Sequence, residues 1–337
     1  MEDLLINVFG ISVLISTESD FVFQNLRKDF ALFSSAKSPH IKDTVTLSIH
    51  LKAPEYDKIP ALDAAVHGHG FISYKDKDTN YIVYSKDALL IYDFKHDHGE
   101  FFGTNELFLY EKTKLTILTR IGEKLEGQGL RRIHAFGVSL NHKALVCLLP
   151  MEGGKTTSVL NLLKADQNIK IIADDVCFID RQGTIYPFLL RIGARDQKLI
   201  EGIPEEYTTR LERPHYGIKY FIEPEYFRNR ISMPLPVTHM LIGKRSTQSR
   251  TTIMKLPKLN SLGPIMDSGI FGAGLPQLFE LLVRGDYRMF TTRLGTIMSR
   301  LFFCVSMILK TKTAMIKIGL DQSLTCKKIL EYLNSEN

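Results

Sequence analysis

The chain has 337 residues, of which 44% are hydrophobic and 24% charged, and it carries a formal net charge of +6. This is the composition of a soluble globular protein, long enough for one large or two ordinary domains. The mild basicity suits phosphorylated ligands, but no Lys/Arg block marks a nucleic-acid arm, so no nucleic-acid partner is expected.

Residues 1 to about 105 read mostly as strands and turns. Leu4–Ile15 is a β-rich apolar run broken at Gly10. Asp20–Phe33 reads as a helix with Phe21, Leu26, Phe30 and Leu32 available to pack. Thr44–Leu51 alternates apolar and polar residues, the period of a half-buried strand. Phe71–Tyr74, Tyr81–Tyr84 and Ala88–Tyr92 are short runs joined by polar turns, as in a meander. A second helix is expected over about Asn105–Glu123, before the Gly127-Gln-Gly129 break.

From Leu130 the pattern changes. Ile133–Leu140 and Ala144–Leu149 read as two strands joined by a tight Asn141-His142-Lys143 turn. A helix over Thr156–Lys164 follows, then strands at Ile169–Ala173, Val176–Ile179 and Thr184–Leu190. Residues 204–260 look loop-like apart from a strand at Val237–Gly243. Leu275–Thr311 reads as mainly helical, Ala314–Gly319 as a strand and Ser323–Leu333 as a closing helix. Phe271-Gly-Ala-Gly274 reads as a loop entering a helix and not as a nucleotide site. The expected organisation is a β-rich region with two helices over 1–129 and an α/β core with C-terminal helices over 130–337.

The most informative stretch is Leu145-Val-Cys-Leu-Leu-Pro-Met-Glu-Gly153-Gly-Lys-Thr-Thr157. An apolar strand breaks into a glycine turn, and Lys-Thr opens a helix. These are the parts of a phosphate-binding loop. Glycines let the backbone approach an anion, and the free N–H groups and dipole of a helix start favour negative charge. Gly153, Gly154, Lys155, Thr156 and Thr157 are the candidate nucleotide-binding residues. Lys155 would reach the β/γ-phosphates, and the Thr156 hydroxyl would sit on Mg²⁺. Leu149 stands where the usual pattern has its first glycine, and Glu152 adds a carboxylate near the phosphates.

One helix further on, the strand Lys170–Ala173 runs into Asp174-Asp175. An acid at that end of a neighbouring strand faces bound phosphates, where it holds a metal or takes a proton. Adjacent residues on an extended strand point to opposite faces, so the two acids are not expected to share one job. His134 lies in the first of the paired strands, beside the strand that feeds the loop. Taken alone, each of these features also has a bland reading: a turn, a solvated acid pair and a structural histidine.

In this order and spacing, residues 131–191 resemble the HPr kinase/phosphorylase group and its kinase relatives, whose nucleotide-binding core is shared with phosphoenolpyruvate carboxykinases. The motifs that carry the resemblance are Ile133-His134-Ala135, the Leu149–Thr157 loop, Ile172-Ala173-Asp174-Asp175 and the turn Asp180-Arg-Gln-Gly183 with Pro187-Phe188. The resemblance implies an α/β fold with a P-loop core and mixed sheet. It implies ATP- and Mg²⁺-dependent transfer of the γ-phosphoryl group to a hydroxyl, often a serine. By position, Asp174 is the base for the hydroxyl proton, Asp175 with Thr156 serves the metal, and His134 lies near the transferred phosphate. HPr kinases carry a Glu-Ile-Arg-Gly-type segment after the Asp-Asp strand. Here Leu189–Arg195 lacks the Glu, which points to a small-molecule or peptide acceptor in place of HPr.

Arg191 and Arg195 follow the next strand and are candidates for a phosphate clamp, or plain surface arginines. Residues 209–258 hold ten Lys/Arg against three acids, a solvated face or a docking surface for an acidic peptide or phosphate. The four cysteines form no C-x-x-C pair and read as buried reduced thiols. Met1-Glu2-Asp3-Leu4 has acids where a signal peptide has bases, and runs such as Leu301–Leu309 are too short to span a bilayer. A cytoplasmic protein without a membrane partner is expected, and a homo-oligomer is compatible with the chain. The leading function is a kinase. The alternative is a nucleotide-binding partner protein that is catalytically weak or inactive, motivated by Leu149 and Glu152.

Overall fold

In the first strands, apolar alternation decides which side chains turn inward. Within Thr44–Leu51, Val45, Leu47 and Ile49 are at most 1% exposed while their neighbours face outward. The computed structural model describes residues 2–34, 44–85, 87–213, 217–269, 275, 277–278, 281 and 288–335. It is a mixed α/β structure of two compact units. One comprises residues 1–125 and 276–293, and the other residues 126–275 and 294–337. Of the described residues of segment 276–293, placed by its sequence with the second region, Leu278 packs with the first unit. There the Leu278 N–H donates to the Thr119 hydroxyl at 2.7 Å. The Phe271–Gly274 stretch lies outside the described residues.

The first unit holds strands β1 (Glu2–Val8), β2 (Ile11–Thr17), β3 (Thr44–Leu51), β4 (Ala64–Gly68), β5 (Phe71–Asp76), β6 (Thr79–Tyr84), β7 (Ala88–Asp93) and β8 (His98–Gly103). They form one sheet in the order β1-β2-β3-β8-β7-β6-β5-β4. The break at Gly10 is a two-residue turn in which Phe9 and Gly10 both have positive φ, at 51° and 89°. Helix α1 (Asp20–Asp29) is capped by Ser19, whose hydroxyl accepts from the Val22 N–H at 3.2 Å. It ends earlier than its apolar pattern suggests, and a short 3₁₀ turn over Ala31–Phe33 carries the rest. Helix α2 runs over Glu106–Gly127. Strands β4 and β8 carry no clear strand pattern. In β8 the glycines read as turn signals, but Gly99 is there for space. A Cβ on it would lie 2.8 Å from Leu47 Cδ2 and 2.9 Å from Tyr92 Cδ2.

The second unit holds β9 (Arg131–Ile133), β10 (Ala135–Leu140), β11 (Lys143–Leu148), α3 (Lys155–Ala165), β12 (Lys170–Ala173), β13 (Cys177–Ile179), β14 (Thr184–Tyr186), β15 (Ile192–Ala194), β16 (Thr208–Arg213), β17 (Gly217–Ile222), β18 (Leu235–Arg245), β19 (Thr252–Lys255), α4 (Lys258–Gly269), α5 (Arg288–Lys310, which begins in the first unit), β20 (Lys312–Ile318) and α6 (Gln322–Asn334). Its large sheet forks. One arm runs β12-β10-β11-β18 and continues to β20 and β19. The other runs β18-β14-β13-β9. The long β18 belongs to both.

Two features of this sheet position the site. First, β10 is antiparallel to both β11 and β12, so β11 and β12 are parallel with β10 between them. Their C-terminal ends open on the same sheet edge, and α3 crosses from one to the other. Second, the strand read as Ile133–Leu140 is interrupted at His134. Before it, Ile133 pairs with Cys177 of β13; after it, Ala135 pairs with Leu148 of β11. The chain from β12 to β13 makes the same change of arm at Asp174–Val176. Both breaks fall at one level of the fork.

The loop-like reading of 204–260 is corrected in part. β16 and β17 form a hairpin that joins β15 in a separate three-stranded sheet. Their charged and half-exposed side chains hide the strand period. The core of this unit lies between the forked sheet and helices α4 and α5, around Ile133, Leu148, Ile172, Cys177, Met240, Phe303 and Met307. Cys147, Cys177, Cys304 and Cys326 are all buried free thiols. Among the described residues no helix is long and apolar enough to cross a membrane.

Helix α3 is fixed at its far end by one side chain. Arg230 donates to the carbonyl of Leu163 in the last helical turn (2.7 Å) and to those of Asp166 (2.7 Å) and Ile169 (2.9 and 3.2 Å) beyond it, tying the helix end to the start of β12. Replacing it by Met should cost about 1–3 kcal/mol of stability, because several part-buried acceptors lose their donors together. Urea unfolding of Arg230→Met checks this, and an unchanged midpoint would contradict it.

Candidate functional site

The loop between β11 and α3 is shaped by its glycines. The Gly153 N–H donates to the Pro150 carbonyl at 2.9 Å, closing a tight turn. A Cβ on Gly153 would stand 2.8 Å from that same oxygen, so no larger residue fits without opening the turn. Gly154 occupies the N-cap of α3 with φ +92°, in the left-handed region that glycine adopts without strain. Glu152 is also left-handed, at φ 59°, and has a Cβ to accommodate there. The first helical bond runs from the Ser158 N–H to the Gly154 carbonyl at 2.9 Å. The N–H groups of Lys155, Thr156 and Thr157 therefore have no intrahelical partner. Gly154 offers no side-chain cap. This leaves a positive helix end open at the loop.

Lys155 turns back under the loop and is 7% exposed. Its ammonium donates to the Leu149 and Pro150 carbonyls, both at 3.1 Å, and to His134 Nε2 at 2.7 Å. His134, 6% exposed, sits at the strand break with Nδ1 3.1 Å from the Asp175 carbonyl and 3.3 Å from Asp175 Oδ1. The hydrogen-bond pattern assigns the tautomer: Nδ1 carries the proton toward Asp175, and Nε2 accepts from Lys155. Burial holds the His134 pKa below its ordinary value, and the Lys155 charge adds to this against Asp175. Burial likewise pulls the Lys155 ammonium down, opposed by Asp175 and Asp174. Asp175 Oδ1 lies 3.9 Å from Lys155 Nζ.

The two acids separate as their adjacent positions suggest. Asp174 faces α3, where its Oδ2 accepts from the Thr156 hydroxyl at 3.0 Å. Its Oδ1 is enclosed and has no hydrogen-bond partner among the described residues. Burial pushes the Asp174 carboxyl up to about 7; the Asp175 charge adds to the rise, and Thr156, Lys155 and Lys219 oppose it. Asp175 faces His134 and keeps 48% of its side chain open to solvent. Thr156, expected to serve a metal with Asp175, bonds Asp174 in this structure.

The fit to a phosphate and Mg²⁺ can be judged from these groups. Among the described residues no cluster of three His, Cys, Asp or Glu side chains could hold a metal by itself. Mg²⁺ needs no such cage, since it is held by one or two carboxylates together with substrate phosphates and water. The enclosed Asp174 Oδ1 beside the Thr156 hydroxyl suits that mode. The open N–H groups and the Lys155 ammonium suit a phosphate.

The two arginines divide. Arg195 Nη1 pairs with Glu152 Oε1 at 2.8 Å, both largely exposed, which offsets the extra carboxylate at the loop tip. Arg191 is 5% exposed, and its guanidinium lies 4.8 Å over the Phe221 ring of β17. Lys219 joins the site although its sequence context, one of ten cations over 209–258, gave it no special signal. It lies over Gly193 of β15: a Cβ there would be 2.1 Å from Lys219 Cε. Its ammonium stands 5.1 Å from the Phe221 ring centre. The loop, the acid pair and His134 are brought together as their order in sequence suggests. Compared with known proteins, the chain matches no family model and no curated sequence.

Asp174 supplies a pH test. Its carboxyl holds a proton up to about 7 in the folded protein, against an ordinary value of 3.8. The folded state therefore binds more protons across that window. Its stability falls as pH rises through the window, and the full cost of the buried charge is present above about 7. Asp174→Asn should raise the Tm of the nucleotide-free protein at pH 8 and do so much less at pH 4. The difference corresponds to at most about 4 kcal/mol. Equal shifts at both pH values would contradict this origin.

Proposed function

We propose that the protein is a phosphotransferase with an HPr-kinase-like P-loop core, which binds ATP at the 149–157 loop and transfers the γ-phosphoryl group to a hydroxyl of a small molecule or peptide. One observation carries this reading: a buried lysine at an open helix start, held by the loop's own carbonyls and flanked by two carboxylates in different settings. Phosphoryl transfer asks mainly for positioning and charge neutralisation, and these groups supply both.

All three Lys155 protons are engaged in the nucleotide-free site. A bound phosphate would take one of them, and the His134 contact is the one to yield because it is not part of the loop backbone. The freed Nε2 would then face the phosphate. The N–H groups of Lys155, Thr156 and Thr157 would bind phosphate oxygens. Mg²⁺, when bound, would neutralise charge on the β/γ oxygens, with Thr156 and Asp174 as its protein-side groups. Asp175 is the carboxylate that an acceptor from solvent can reach, and its oxygen would take the hydroxyl proton while His134 Nδ1–H holds it in place. Asp174, whose free oxygen is sealed, serves the metal side. Arg195 would keep Glu152 turned from the phosphates.

Lys155→Met should lower affinity for ATP–Mg²⁺ at least tenfold in calorimetry and abolish phosphoryl transfer. Unchanged binding or turnover in that variant would overturn the reading. The second reading, binding without turnover, is favoured by Glu152. Its left-handed backbone and its charge both depart from what a polyphosphate loop prefers. Glu152→Gly removes the charge and the strain of a Cβ in that conformation. If the loop is catalytic, this variant should bind ATP at least as tightly and turn over at least as fast as wild type. Tighter binding with no turnover against a panel of hydroxyl acceptors favours the partner-protein reading.

A further inference from the structure

Among its described side chains, helix α5 carries two apolar faces, one buried and one exposed. One face is core: Phe303, Cys304, Met307 and Ile308 are at most 5% exposed. The opposite face carries Met298 (57% exposed), Phe302 (74%), Val305 (39%) and Leu309 (64%). A contiguous apolar stripe left exposed on a helix marks a contact surface. The spacing of the exposed set is four, three and four residues. That is the alternation of a coiled-coil seam, in which such side chains enter holes on a facing helix.

No charge interrupts this stripe. Arg300 is tied to Glu126 at 2.5 Å, and the Lys310 ammonium donates to the Gln182 carbonyl at 3.1 Å. A strongly charged partner would find nothing to answer it. The stripe is instead complementary to itself. Met298 and Leu309 are equidistant from the midpoint between Phe303 and Cys304, and so are Phe302 and Val305. Running a second copy of the helix antiparallel about that midpoint sets Met298 against Leu309 and Phe302, the largest, against Val305, the smallest. Each pair then occurs twice, as a two-fold interface requires. The area fits as well. The four exposures amount to about 450 Å² per copy, or about 900 Å² in all, the size of a weak interface below the roughly 1,200 Å² of stable ones.

We propose that this face of α5 is a homodimer interface, closed by the same face of a second copy running antiparallel. An interface of this size gives a weak dimer, concentration-dependent in the micromolar range. Sedimentation velocity of the full chain over rising concentration tests it. Wild type should pass from monomer to dimer, and Phe302→Glu should shift that transition at least tenfold upward while keeping its circular dichroism. A wild type that stays monomeric to about 100 μM, or a folded Phe302→Glu that associates as tightly as wild type, overturns the proposal. Disulfide trapping decides independently, and remains decisive if Phe302→Glu fails to fold. Met298→Cys mixed with Leu309→Cys should give a mixed disulfide dimer under mild oxidation, while Met298→Cys alone gives none. A dimer linked 298 to 298, or no mixed dimer, overturns the antiparallel arrangement.

Discussion

The geometry of the second unit turns on the position of the Lys155 ammonium. A cation that is 7% exposed is costly unless every proton finds an acceptor, and here each does. Two acceptors are carbonyls of the loop itself, so the lysine holds the loop in the shape that encloses it. The third is a histidine whose other nitrogen is fixed by Asp175. The loop, the strand break and the acid pair are therefore one hydrogen-bonded assembly. Losing the lysine would take one donor from each of the two loop carbonyls and from His134 Nε2.

The fork in the sheet makes that assembly reachable. A continuous strand through His134 would bury it in a ladder, with its neighbours' side chains alternating above and below. Because both β9–β10 and β12–β13 change arms at one level, His134 and Asp175 meet at the opening between the arms. The same opening gives Asp174 and Asp175 different surroundings: one turns a carboxylate oxygen in against α3, the other stands half open to solvent. Burial raises the Asp174 carboxyl above its ordinary range.

Much of this was legible in the sequence. The loop, its helix and the Asp-Asp strand follow from short-range signals: an apolar run, glycines, then helical spacing. The alternation of Thr44–Leu51 marks β3 to the residue. What the sequence concealed was of two kinds. Strands such as β8 and β16 are masked because their glycines and charges read as turn or loop, while their reasons are tertiary: room for Leu47 and Tyr92 in one, an exposed sheet in the other. Pairwise partnership was the other gap. Nothing local says that Thr156 bonds Asp174 and not Asp175, that Arg195 neutralises Glu152, or that Lys219 crosses Gly193 to join the site. Those facts depend on which arm of the sheet each residue stands on.

Strand β18 carries a consequence for how the chain acquires this arrangement. Its partners are β11 and β14, which precede it, and β20, which lies near the end of the sequence. The sheet edge beneath the phosphate-type loop is thus stitched together by contacts between residues far apart along the chain, and such contacts form slowly because a long loop must close first. During synthesis, β18 emerges with one flank unpaired and stays so until residues 312–318 follow it. The loop sequence is complete early, but the sheet that holds it is among the last parts of the molecule to be finished.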